Sequence, residues 1–235
     1  MKIAAFQPTF LSYPGFYALI DSVDKFIIMD NIQFAARGWQ QRVLIKINNQ
    51  PKFITIPVIK KNLRNQLICE TKIDTSRNFV KQHLLSIKHS YSKYPYFHLF
   101  YPKIESIYKQ NFNSLIDINL AFIELICDYL NINTNKFIFL SDLQIKKNVL
   151  KDNLIYEICK IIKNTREYIA TEGSRIYLQD NKDLNTEYSV KYFEYDDKKE
   201  ENIYNKKKCY LSIIDLIFNY GDKTKSVMLS NFKIK

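Results

Sequence analysis

A chain of 235 residues, 46% hydrophobic and 25% charged, is long and apolar enough to bury a full core, which excludes a disordered polymer. Its 35 Lys and Arg against 24 Asp and Glu give a formal net charge of +11, yet only six of the cations are Arg (Arg37, Arg42, Arg64, Arg77, Arg166, Arg175). The Lys are dispersed apart from Lys206–Lys208 and accompany abundant Asn and Ile, so nucleic acid is disfavoured as the main partner while anionic small molecules remain favoured.

In chain order, Ile3–Phe6 is a short apolar run that reads as a first strand and stops at Gln7-Pro8. Tyr13-Pro14-Gly15 makes a turn, and Phe16, Leu19, Ile20 and Val23 follow at helical spacing. Lys25–Met29 is a second apolar run, ended by Asp30. Strand, helix and strand predict a right-handed crossover and two adjacent parallel strands. Arg42–Ile47 and Lys52–Val58 flank Asn48-Asn49-Gln50-Pro51 and predict a β-hairpin, with Pro57 at an edge or strand end. Helices are expected at about 77–91, 96–110 and 114–130, the last carrying the stripe Leu115, Ile118, Phe122, Leu125, Ile126, Tyr129. Further strands are expected at Phe137–Leu140, Tyr168–Ala170 and Tyr188–Glu194, and helices at Leu150–Ile162 and Leu211–Phe218. The polar stretch Asp196–Lys208 reads as a loop. The whole is expected to be one α/β domain over residues 1–235: a mostly parallel, Rossmann-like sheet with an inserted hairpin and helical subregion at about 31–112.

No stretch approaches 18 apolar residues, so no membrane span is expected. The apolar start at Met1–Phe6 is interrupted by Gln7-Pro8-Thr9, too early for a signal peptide, and a cytoplasmic location follows. Cys69, Cys127, Cys159 and Cys209 form no CxxC pair, and Cys127 and Cys159, on apolar helical faces, read as packed thiols in a reducing compartment. His83 and His89 are six residues apart and do not share a helical face, so no metal site is expected; no cofactor is indicated.

In open parallel sheets, ligands bind beyond the carboxyl ends of the strands. That rule singles out Gln7 and Pro8 at the end of the first strand, Tyr13 and Gly15 at the turn, and Asp30 and Asn31 at the end of the second strand. It also singles out Gly173, Ser174 and Arg175 in the turn after Tyr168–Ala170. Gln7, Gly15, Asp30 and Gly173 are expected to border one cleft. Trp39 and Arg42 suit stacking on a sugar or base and pairing with phosphate or carboxylate, although Trp39 equally suits the core. His83 and Asp30 are the candidate general bases, beside the alternatives of a structural histidine and a turn-capping aspartate. Ser212 and Asp215 have the spacing of a helix N-terminal capping pair.

The segments "KIAAFQPTFLSYPGFYALIDSVDKFIIMDNIQF", "GWQQRVLIKINNQPKFITIPV", "HLLSIKHSYSKYPYF", "YIATEGSRIYL" and "YLSIIDLIFNYG" resemble, in order, the WbqC-like family. The resemblance implies a bacterial protein associated with O-antigen and other surface-polysaccharide assembly, and His83 lies within one of the matching segments. Tyr13-Pro14-Gly15-Phe16 is also similar in placement to the His-x-Gly-His motif of nucleotidylyltransferases, and Ser174-Arg175 to that superfamily's later Ser/Thr-Arg element. Tyr13 and Phe16 stand where that motif has His and supply no cationic charge, so this second resemblance implies a fold and a nucleotide pocket rather than nucleotidyl transfer. Two functions are carried forward. One is a transferase acting on an amino or deoxy sugar, nucleotide-linked, by acyl or aminoacyl transfer. The other is a non-catalytic sugar-nucleotide-binding or accessory protein in contact with other glycan-assembly enzymes.

Overall fold

The computed structural model describes residues 1–60, 65–145, 151–196 and 210–235. Arg64, Lys206–Lys208, Cys209 and nearly all of the expected polar loop lie outside the described residues. The first strand, β1 (Lys2–Phe6), leads through helix α1 (Pro14–Ser22) to β2 (Lys25–Ile28), and the two strands pair in parallel with Ala4 opposite Phe26. Pro14 at the first helical position supplies a preset φ for α1. The sequence expectation for this β-α-β unit is met.

After β2 come β3 (Arg42–Ile47), β4 (Gln50–Thr55), α2 (Phe79–Tyr91), α3 (Phe97–Tyr108) and α4 (Leu115–Tyr129). β3 and β4 form the separate two-stranded antiparallel sheet, with Ile47 opposite Gln50. Asn48 and Asn49 between them have φ of +51° and +56°, the left-handed pair that a two-residue hairpin turn demands and that Asn tolerates. The chain then returns to the main sheet with β5 (Phe137–Phe139), α5 (Lys151–Ile161) and β6 (Glu167–Thr171). Last come α6 (Arg175–Leu178), α7 (Lys182–Glu187), β7 (Ser189–Tyr195), α8 (Ile213–Tyr220), α9 (Thr224–Ser230) and β8 (Phe232–Ile234).

The main sheet has the order β5-β2-β1-β6-β7-β8, parallel throughout except for β8 at one edge. Successive side chains of a strand point to opposite faces, and both faces here are covered. Ala4, Phe26, Ile28, Ile169 and Phe193 join one core with residues of α1, α4 and the hairpin. Ile3, Ile27, Tyr168, Ala170 and Tyr192 join the other with Ile155, Ile158 and Cys159 of α5, Leu178 of α6 and Leu184 of α7. This doubly wound arrangement reverses its strand order at β1 and β6, which makes the carboxyl ends of those two strands the natural crevice.

Among the described residues, no helix is long and apolar enough to cross a membrane. Gly221 ends α8 at φ +52°, where an L side chain is strained, and an added Cβ would press into the Tyr96 ring, 2.7 Å from its Cγ. Gly221→Ala is therefore expected to cost about 2–4 kcal/mol through combined backbone strain and overpacking. Urea denaturation will register this as a lower midpoint at unchanged slope.

Candidate functional site

The loop after β1 is buried, so its carbonyls must find donors within the protein. Asn119 of α4, itself fully buried, donates its amide to Pro8 O (3.2 Å) and Gln40 O (2.8 Å). Ser212 Oγ donates to Leu11 O at 2.7 Å, and the Ile213 N–H donates to Ser12 O at 2.9 Å. Between these anchors Leu11 is held at φ +42°, a left-handed conformation that a bulky residue avoids unless its surroundings impose it. Phe10 N–H donates to Trp39 O, which draws the inserted segment over the same loop.

What these anchors enclose is a cleft of about 400 Å³ beyond the carboxyl ends of β1, β6 and β7. From β1 and its loop come Phe6, Thr9, Phe10, Ser12 and Tyr13; from the insertion come Trp39 and Val43. The end of β6 supplies Thr171, Glu172 and Gly173, the end of β7 supplies Phe193, Glu194 and Tyr195, and Tyr210 closes the ring. Tyr13 meets Tyr195 edge to face at 6.0 Å between centroids and Tyr210 at 5.0 Å. The hydroxyls of Thr9 and Ser12 hydrogen-bond to each other on the buried wall. Two carboxylates stand at the rim. Glu172 is gripped by Arg175 through two hydrogen bonds of 2.8 and 2.7 Å, which lower its pKa, and Glu194 pairs with Lys235.

Of the residues singled out from sequence, Tyr13, Trp39 and Gly173 line this cleft. Gly15 lies behind its wall: an added Cβ would overlap the Tyr13 ring and come within 2.9 Å of Tyr195 Cβ, so the close approach that requires glycine is made by those two tyrosines. Gln7 accepts a hydrogen bond from the Gln40 amide, and Pro8 is buried with its carbonyl held by Asn119; both shape the loop from behind. Ser174 is buried and donates to Thr171 O (2.6 Å) within its turn. Arg175 stacks on the Tyr192 ring at 3.8 Å beside the rim. Asn31 is exposed and does not line the cleft.

Asp30 and His83 are placed differently from the sequence expectation. Asp30 is 4% exposed and acts as a brace, its carboxylate accepting from the Ser141 N–H (3.0 Å) and its carbonyl from the Cys69 N–H (3.0 Å). It lies two residues beyond the end of β2 and does not line the cleft. His83 is 4% exposed and lies behind Phe10, whose ring sits 5.7 Å away. Its Nε2 is 3.1 Å from Thr55 O, an acceptor only, so Nε2 carries the proton and Nδ1 accepts from the Tyr108 hydroxyl at 2.9 Å. Burial pushes the His83 pKa from its ordinary 6.5 down to about 4. Arg42 lies on a different groove, with its guanidinium 4.1 Å over the Phe53 ring.

The carboxyl end of β7 was missed as a source of site residues, although the strand-end rule that found Gly173 applies equally to Phe193, Glu194 and Tyr195. Among the described residues, no group of three or more His, Cys, Asp or Glu is arranged to hold a metal ion. Cys127 and Cys159 are buried thiols whose pKa burial raises to about 12, as packed thiols should be.

Two outcomes follow from this geometry. Ser212 both caps α8, accepting from the Ile214 N–H at 3.4 Å, and holds the Leu11 carbonyl, so Ser212→Ala is expected to cost about 2 kcal/mol in denaturant unfolding. His83 is neutral in the fold and charges on unfolding, so its contribution to stability is complete above pH 6.5 and is lost as pH falls toward about 4. A drop of about 3 kcal/mol across that window is expected, and unfolding measured against pH should show a flatter slope in His83→Gln.

The sequence profile of the WbqC-like protein family matches residues 7–227. The uncharacterized protein Rv1507c of Mycobacterium tuberculosis is 28% identical over 222 residues, covering 94% of this chain and 94% of that protein. No solved structure matches the chain.

Proposed function

From the premise that the chain belongs to the WbqC-like protein family, we propose that it is a transferase of bacterial surface-glycan assembly that takes an amino or deoxy sugar, carried on a nucleotide, in the cleft beyond β1, β6 and β7. The observation that carries this reading is the cleft itself: aromatic walls at the sheet reversal, two hydroxyls on one wall and two carboxylates at the rim. Aromatic faces such as Trp39 and Tyr13 suit the apolar face of a sugar ring, and the carboxylates of Glu172 and Glu194 suit an ammonium or ring hydroxyls. Acyl or aminoacyl transfer to the sugar amine is the reaction that fits an amine presented in such a cleft.

A second reading, a non-catalytic carrier of the same ligand, is favoured by one observation. Neither His83, with both ring nitrogens engaged, nor Asp30 lines the cleft, so neither expected base is positioned to take a proton from an amine there.

The test is a thermal-shift screen of nucleotide-linked sugars with and without an amine, followed by mass spectrometry of the stabilising ligand with acyl and aminoacyl donors. Stabilisation by amine-bearing nucleotide sugars and a mass gain on the sugar supports transfer. Stabilisation without a mass gain supports the carrier, and no stabilisation by any of them overturns both. Gly173 faces open space, its nearest neighbour for an added Cβ being Thr171 Oγ1 at 4.0 Å. Gly173→Leu is accordingly expected to obstruct the cleft and weaken binding by at least about tenfold, on the scale of 1.4 kcal/mol, with an unchanged melting temperature in the absence of ligand.

A further inference from the structure

We propose a second ligand site, for a phosphate-bearing small molecule, in the groove between the β3–β4 hairpin and the first turn of α2. The proposal does not depend on the sugar reading above. The groove is about 1020 Å³, more than twice the aromatic cleft, and beside Arg77 it is lined by three cations from three separate segments: Arg37, Arg42 and Lys60. Among the described residues none of the three forms an ion pair, so their charges are left for a ligand. The one carboxylate lining the groove, Asp74, is already engaged by Ser76 and by Arg77 at 3.2 Å.

One cation has its head group packed, and another has its backbone turn anchored, before any ligand arrives. The Arg42 guanidinium lies 4.1 Å over the Phe53 ring, which fixes its plane while leaving its N–H edges to make paired hydrogen bonds. Arg37 sits at φ +62°, a conformation a residue of its kind adopts only under constraint. The constraint is Gln41, 3% exposed, whose side-chain oxygen accepts from the Arg37 N–H (3.2 Å) and whose amide donates to Ile56 O (3.3 Å). A buried side chain thus bolts the Arg37 turn to the chain just beyond β4. Asn78 and Phe79, at the start of the 13-residue helix α2, also line the groove; the Phe79 N–H donates to Arg77 O (2.8 Å), and the positive end of the helix dipole faces this side.

Three unpaired cations match a doubly charged phosphate or diphosphate better than a single carboxylate. The phosphate could belong to a separate phosphorylated substrate or to the nucleotide of a ligand seated in the aromatic cleft. The probe is inorganic pyrophosphate, titrated calorimetrically into the full chain, with malonate as the carboxylate control. The expected result is one-to-one binding of pyrophosphate, tighter than malonate. The Arg37→Gln/Arg42→Gln double variant should weaken it by about tenfold or more, while Lys182→Gln on α7 leaves it unchanged.

Retention of pyrophosphate binding in Gly173→Leu, together with loss in the double variant, assigns the phosphate to a separate site. Loss in both variants places pyrophosphate at the aromatic cleft and overturns the independent site. Unchanged affinity in a folded double variant, checked by circular dichroism, also overturns the proposal. Tighter binding of a single-stranded RNA oligomer than of pyrophosphate, with a steep salt dependence, overturns the small-molecule assignment. Failure of the nucleotide-sugar screen with pyrophosphate binding intact removes the sugar reading alone.

Discussion

The architecture turns on a buried loop whose backbone cannot reach water. Residues 8–12 are buried, and their carbonyls need donors from elsewhere in the chain. Asn119 satisfies Pro8 from α4, Ser212 satisfies Leu11 and Ile213 satisfies Ser12 from the segment entering α8, and the Phe10 N–H reaches Trp39 in the insertion. Each bond draws a distant part of the chain onto the end of β1: Ser212 and Leu11 are 201 residues apart, Asn119 and Pro8 are 111. An unmet carbonyl there would cost about 1–3 kcal/mol, so the bonds that satisfy the loop also assemble the cleft wall. The left-handed Leu11 is the local cost of that convergence.

The same economy governs the ionisable groups buried under the insertion. Lys46 of β3 pairs with Asp215 of α8 at 3.1 Å, and the Lys46 N–H donates to the Tyr91 hydroxyl of α2 at 2.9 Å, tying hairpin and two helices together. Burial raises the Asp215 pKa while Lys46 and Tyr91 lower it, so the carboxylate is sustained by its partners rather than by solvent. His83 reaches the opposite solution: it stays neutral, donates through Nε2 to Thr55 and accepts through Nδ1 from Tyr108. Both arrangements are ties between layers. An imidazole in a family-like segment thus reads as a base from sequence, while its burial shows only in three dimensions, because burial is a property of the assembled layers.

How much was legible depended on range. The β1-α1-β2 unit, the hairpin and the helices around Phe79–Tyr91, Phe97–Tyr108 and Leu115–Tyr129 follow from local periodicity and from Asn48-Asn49, whose turn preference is intrinsic. Tyr13 and Gly173 were legible because strand ends in a parallel sheet gather ligands, and Trp39 because an aromatic face beside Arg42 suits stacking. Asp30 obeys the same rule in sequence yet misses the cleft, since its carboxylate and carbonyl are taken up by Ser141 and Cys69, partners remote in sequence. Phe193 to Tyr195 gained their place by the reverse route, through the pairing of β7 with β6 beside the crevice. Asp215 has the spacing of a capping acid, but the proximity of Lys46, remote in sequence, gives it a different partner.

Arg42 and Val43 show why neighbouring residues acquire unrelated roles. Adjacent side chains on a strand point to opposite faces. Val43 accordingly lines the aromatic cleft while Arg42 turns to the basic groove, and the hairpin becomes a partition between two chemically unlike surfaces. Trp39 bridges them: it lines the cleft and packs 5.8 Å from Phe53, the ring that carries the Arg42 guanidinium. A net charge of +11 spread over dispersed lysines says little about any one ligand, because solvent and salt screen isolated surface cations. Charge becomes selective where carbon holds it still. Phe53 does this for Arg42, while the buried Gln41 anchors the backbone turn that carries Arg37.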